Sequence, residues 1–227
     1  MIIIPTNCVS GMPVTIKGRG WGYQTLNIPS HSAGDLLIAI VGNFTNTTAP
    51  GKPSAGGTVP TWNIINNNAG DGYTAMTTAY AVATGSNTTG GTWTNWDYTG
   101  CIVISGQADS PLGGHAEQGS SSTANIVTPS VTLSKTDGSS LLIHMGVYYS
   151  AYSGSTRFNA PPSGYTRGGD WRIDAGGHAE TQNSAVNIRY WTKNDTTSDG
   201  SATFTTVSSV DSYRAATIEI LGQARDK

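Results

Sequence analysis

The pentapeptide Gly-Gly-His-Ala-Glu occurs twice, at residues 113–117 and 176–180. On an extended strand, residues i and i+2 point to one face, so His115 with Glu117 and His178 with Glu180 each form an imidazole–carboxylate pair. Two such pairs brought together would offer a donor set suited to zinc or manganese. The plainer reading is a polar turn leading into a strand, with His bonded to Glu or backbone as a contact within the chain or between subunits. That reading is preferred, and no metal or other cofactor is expected.

Other reactive arrangements are sparse. Glu117, Glu180 and Glu219 are the only glutamates. A glycosidase needs two carboxylates facing each other across the scissile bond, and nothing pairs Asp97, Asp109, Asp170 or Asp174. Asp71 in AGDGY and Asp199 in SDG read as turn residues. No Gly-x-Ser-x-Gly elbow and no Gly-rich loop with a phosphate-binding Lys occurs, and neither Cys8 nor Cys101 has a His nearby in sequence. A non-enzymatic role follows as the expectation. Aromatic residues form the second candidate set. Tyr148, Tyr149 and Tyr152 run from a strand into a loop, and Trp93, Trp96 and Tyr98 alternate between the faces of a strand, with Trp96 and Tyr98 sharing one. They suit core packing first, then a protein interface, then stacking on sugar rings.

These residues sit in a chain of 227 residues with 29 Gly and 10 Pro. Hydrophobic residues make up 37%, enough for a substantial core, but charged residues only 11%, against about 25% in ordinary globular proteins. The surface must therefore be built from Thr, Ser, Asn and Gly. A net charge of −2 without any basic run gives no footprint for nucleic acid or an anionic membrane. No apolar stretch approaches the ~20 residues that span a bilayer, and MIIIP is short for a signal-peptide core. Two cysteines are too few for a disulfide framework, and Cys101, within CIVISG, reads as a buried thiol.

Apolar residues come in runs of four to eight, rich in Val, Ile, Thr, Tyr and Trp and bounded by Gly, Pro, Asn and Ser. That pattern predicts an all-β protein. It also repeats. GDLLIAIVGNF from Gly34 and GSSLLIHMGVYY from Gly138 place Leu36 and Leu141 105 residues apart. Proline-rich loops, strands around Tyr80 and Tyr190, Trp93 and Phe204, and terminal runs ending at Gln107 and Gln223 follow in the same order. Residues 25–107 and 130–223 are read as two pseudo-repeats, packed into one antiparallel β-sandwich over residues 25–227 because half a sandwich would expose edges and a bare face. Leu37, Ile102, Ile104, Leu142, Ile218 and Ile220 are predicted to be core. The segment PLGGHAEQGSSSTANIVTP joins the halves and includes one strand, ANIVT. Residues 1–24 are read as an N-terminal arm, whose Ile2, Ile3 and Ile4 would dock on a neighbouring subunit or another particle component.

Gly34–Leu37, Pro161–Tyr165, Tyr80–Gly85, Trp93–Thr94 and Cys101–Gly106 together resemble a family of jelly-roll-like virion surface proteins of tailed bacteriophages. The first-half proline loop, GKPSAGGTVPTW, departs from that pattern. The resemblance implies a jelly-roll-like sandwich with a place on the outside of a virion. It favours a capsid decoration or cement protein, bound to the major capsid protein or other virion proteins as a homo-oligomer, with a trimer preferred. The alternative is a tail-fibre or spike module that binds a host glycan.

Overall fold

In a computed structural model, the chain is all-β, and the structure describes residues 14–23, 25–44, 47–70, 73–121, 123–150, 166–174, 183–192 and 198–223. The strands are β1 (Thr15–Tyr23), β2 (Leu36–Phe44), β3 (Asn63–Asn68), β4 (Thr74–Val82), β5 (Tyr98–Ser105), β6 (Gln107–Ser120), β7 (Thr123–Val127), β8 (Val131–Thr132), β9 (Leu141–Ser150), β10 (Thr166–Asp174), β11 (Asn183–Thr192), β12 (Ser198–Asp199), β13 (Thr203–Val210) and β14 (Ser212–Gly222). Two five-stranded antiparallel sheets carry the fold, in the orders β1-β5-β2-β4-β3 and β10-β11-β9-β14-β6. They stack face to face, with β2 over β9, β4 over β14 and β3 over β6.

Both sheets have one strand order and closely matching registers. Leu36 pairs with Ile104, and Leu141 with Ile220. Ile38 pairs with Tyr80, and Ile143 with Tyr190. On the far edge, Tyr80 faces Asn63 and Tyr190 faces Thr166, each one residue before a bulge in the edge strand. At the opposite edge, Ile16 faces Ile104 and Leu112 faces Ile220, again beside a bulge. Thus β1 corresponds to β6, a strand outside residues 25–107 matched with one outside residues 130–223.

The alternation of side chains puts Leu36, Ile38, Ile40, Met76, Ile102 and Ile104 against Leu141, Ile143, Met145, Val147, Ile218 and Ile220 between the sheets. Burying each such side chain contributes roughly 1.5–3 kcal/mol. The outer faces are covered as well. Over the first sheet, loops bring Leu26, Trp62 and Trp93 onto Leu37, Ala39, Val41, Cys101 and Val103. Over the second, the small β7–β13 and β8–β12 sheets bring Ile126, Val131, Leu133 and Val210 onto Leu142, Tyr148 and Ala215. Strands buried on both faces need apolar residues at every position, which explains runs such as LLIAIV and CIVI. All six residues predicted as core are fully buried.

Two expectations meet a different arrangement. Within the expected arm, residues 15–23 form β1 and pair with β5 along its length; residues 1–13, with Ile2, Ile3 and Ile4, and residue 24 lie outside the described residues. A jelly roll winds successive strands from one sheet to the other, whereas here β1 to β5 all lie in the first sheet and the second is drawn from β6 onward. The segment between the halves is mostly β6, a 14-residue edge strand, and the first four residues of ANIVT lie in β7, with Thr128 just after it.

Candidate functional site

The first Gly-Gly-His-Ala-Glu copy lies on β6, and its two ends do different things. The glycines serve Glu219, which is fully buried on the neighbouring β14. Its Oε2 accepts from the Gly114 amide (2.9 Å) and the Ser134 amide (2.7 Å). Its Oε1 accepts from the Lys135 amide (3.1 Å) and the Ser140 hydroxyl (2.7 Å). A Cβ at Gly113 would strike this carboxylate, and one at Gly114 would strike the carbonyl oxygen of Thr132, so neither position has room for a side chain. Four donors on two oxygens satisfy a buried carboxylate that would otherwise be strongly unfavourable.

His115 and Glu117 turn the other way, toward β3. His115 Nδ1 lies 3.1 Å from Asn66 Oδ1. Burial pushes the Glu117 carboxyl above its ordinary range, against the opposing pull of the Asn67 amide and His115. Next along, Asn68 Nδ2 donates to Gln118 O at 3.0 Å. The asparagines of NIINNN therefore meet the His-Ala-Glu-Gln stretch as a polar seam between an edge strand of each sheet. The pair shares one face of β6, and the contacts described for it are with Asn66 and Asn67 of β3. His178 and Glu180 lie outside the described residues. Among the described residues, no group of three or more His, Cys, Asp or Glu is placed to hold a metal ion.

Tyr148 is fully buried, in the cluster with Ile126, Val210 and Tyr213. Tyr149 is 6% exposed and stacks on Tyr73, ring centroids 5.5 Å apart; Tyr152 lies outside the described residues. Trp96 and Tyr98 do not share a face, because β5 begins only at Tyr98. Tyr98 enters the core between the sheets and donates to Asn43 O at 3.0 Å. Trp96 packs on the outer cluster, where Trp62 and Trp93 meet at 5.9 Å.

A second polar cluster was not anticipated. His144, fully buried on β9, brings Nε2 within 2.7 Å of Asp199 Oδ2 on β12. That close approach lacks the alignment of a hydrogen bond. Its Nδ1 lies 2.8 Å from Thr128 Oγ1 and 3.1 Å from Thr217 Oγ1. Thr217 donates to Pro129 O (2.6 Å), and Thr128 accepts from the Ala202 amide (3.1 Å). Hydroxyl, imidazole and carboxylate are the groups of a nucleophilic relay, but Thr128 and His144 are wholly buried and Asp199 nearly so. In this arrangement they fasten β8, β12 and the turn after β7 to the sheet.

The register makes these polar residues legible as replacements. His144 pairs with Thr217 where Ala39 pairs with Cys101, and Leu142 pairs with Glu219 where Leu37 pairs with Val103. The first sheet's outer face is apolar at the three places where the second carries His, Thr and Glu. Burial pushes the Cys101 thiol up to about 12, so it is an inert packing group. Comparison with protein-family models, curated proteins and solved structures found no match.

Proposed function

We propose that the chain is a non-enzymatic structural protein of a tailed-phage virion, a decoration or cement protein on the outer surface of the head. One observation carries the reading: a sandwich clad on both outer faces and finished in Thr, Ser, Asn and Gly, with only 11% charged residues. Such a body binds through hydrogen bonds and anchors rather than ion pairs, so its affinity for a shell should change little with salt. It acts as a homo-oligomer, a trimer by preference, and its partners are the major capsid protein or other virion proteins. Binding only the assembled shell stabilises that shell by mass action.

The test is co-sedimentation of the purified protein with emptied capsids and, separately, with host-cell envelopes. Binding to capsids that persists at high salt and raises their melting temperature is expected. Binding to envelopes alone, competed by free oligosaccharide, would replace this reading with the glycan-binding one. The observation favouring that alternative is Tyr73, 49% exposed and stacked on Tyr149, since exposed aromatic faces stack on sugar rings.

A further inference from the structure

A single row of residues crosses the first sheet at the end where β1 begins. Ile16 faces Ile104, Ile104 faces Leu36, and Leu36 faces Val82. Side chains paired in this way share a face, here the one turned toward the second sheet. Ile104 and Leu36 are fully buried and Ile16 partly so, yet Val82 is 52% exposed. Beside Val82 opens a groove of about 290 Å3, whose walls include Val59, Pro60, Thr61, Thr84 and Asn87. We propose that residues 1–13 of the same chain cross this end of the sheet and seat Ile2, Ile3 and Ile4 in the groove over Val82. The arm then closes the core of its own molecule instead of reaching to a neighbour, whether or not that molecule sits on a virion.

The described chain begins in the right place for this. β1 runs away from the row, so the segment before Thr15 leaves the sheet at this end. Val14 is already buried with Leu36 and Ile104, which turns the entering chain toward the middle of the sheet. Val82 lies three strand spacings from β1, about 15 Å. Eleven residues separate Ile4 from Thr15, and an extended chain of that length spans about 36 Å, ample for the crossing. On the path stands Gln107, which donates to Gly34 O at 2.6 Å, while the Gly34 amide donates to Ala83 O, next to Val82. Gln107 Oε1 is buried without a hydrogen-bond partner. A buried acceptor left unpaired is unfavourable, and an amide of the crossing segment supplies the donor. The groove also matches the segment chemically: the isoleucines cover Val59, Pro60 and Val82, and the Thr and Asn side chains bond to its backbone. A short tether holds the arm at an effective concentration of about millimolar. The chain's own groove therefore captures it ahead of a second copy at micromolar protein.

Hydrogen exchange on the full chain tests this, with Ile2→Ser, Ile3→Ser and Ile4→Ser combined. Amides 82–87 should lose protection at least about tenfold, while residues 42–44 and 74–76, at the far end of β2 and β4, keep theirs. Unchanged protection at 82–87, or an equal loss at both ends, overturns the proposal. In the parent, protection at 82–87 should not vary between about 1 and about 100 μM protein. Protection that grows with concentration assigns the groove to the arm of a second copy and overturns it too. Val82→Asp alters an exposed side chain, so the sheets should stand. It should speed thermolysin cleavage within residues 2–9 at least about tenfold, and cleavage at the parental rate counts against the docking.

Discussion

Glu219 stands on β14 where Val103 stands on β5, each opposite the second leucine of a Leu-Leu-Ile run, Leu142 and Leu37 in turn. Both are fully buried, yet one meets four donors and the other an apolar cover. The exchange of these residues should therefore fail in both directions. Val103→Glu places a carboxylate among Leu26, Trp62 and Trp93 and should cost ~3 kcal/mol or more. Glu219→Val strands three amides and a hydroxyl and should cost a similar ~3 kcal/mol. Urea unfolding measures both, and a loss below ~1 kcal/mol in either would contradict the account of the two outer faces.

Ile104 and Ile220 occupy equivalent places, facing Leu36 and Leu141 from the adjacent strand. Truncating either to Ala should cost ~2–5 kcal/mol through lost burial and the cavity left behind. Because their surroundings are alike, the two losses should agree within ~1 kcal/mol. An Ile104→Ala protein melting within a degree of the parent would show that the assignment of this core is wrong.

Gly114 and Gly85 separate a glycine required by close packing from one that is not. A Cβ at Gly114 runs into Thr132 O, and backbone cannot swing aside as a side-chain tip can. Gly85 has nothing within 4 Å. Gly114→Ala should lower the melting temperature by several degrees, while Gly85→Ala should change it by a degree or two at most. Equal effects would remove the close approach of β6 and the β8 segment as a constraint.

Cys101 gives the chain an alkaline limit. Burial raises its thiol from 9.0 to about 12. A group raised in the folded state contributes stability that is present in full below the unfolded value and is lost as pH climbs toward the folded one. Stability should therefore fall between about pH 9 and pH 12, and fall less in Cys101→Ala. In a Cys8→Ser background the native protein at pH 8 should leave a thiol reagent unreacted until urea unfolds it; rapid native labelling would place Cys101 at the surface.

What the sequence disclosed, and what it hid, follows from how locally each feature is encoded. Continuous apolar runs declared β2, β5, β9 and β14, because strands covered on both faces have no polar alternation to confuse the reading. The strand β1 was hidden because Thr-Ile-Lys-Gly-Arg-Gly-Trp-Gly-Tyr carries few apolar residues. Its signal was the alternation of Gly18, Gly20 and Gly22, which bares one face so that Thr25, Asn27 and Pro29 can cross it. The repeated pentapeptide drew attention to His115 and Glu117, yet its glycines, fitted around Glu219 and Thr132, explain more of the first copy. His144 and Asp199 lie 55 residues apart and Asp199 reads as a turn residue, so only the folded chain joins them. A trace of them was present all the same: aligned with Ala39 and Val103, His144 and Glu219 are polar residues in otherwise apolar runs.

Between Ser105, the last residue of β5, and Gln107, the first of β6, stands only Gly106, with φ +81. The chain turns there from one sheet into the other in a left-handed conformation that glycine adopts without strain. Each sheet is thus written in an uninterrupted stretch of the message, and the interface between them has the character of a dimer contact within a single polypeptide. Synthesised as two fragments divided at Gly106, the halves would meet through Leu36, Ile38 and Ile40 on one side and Leu141, Ile143 and Met145 on the other. Reassembly of the native fold would then depend on concentration, as a bimolecular association does.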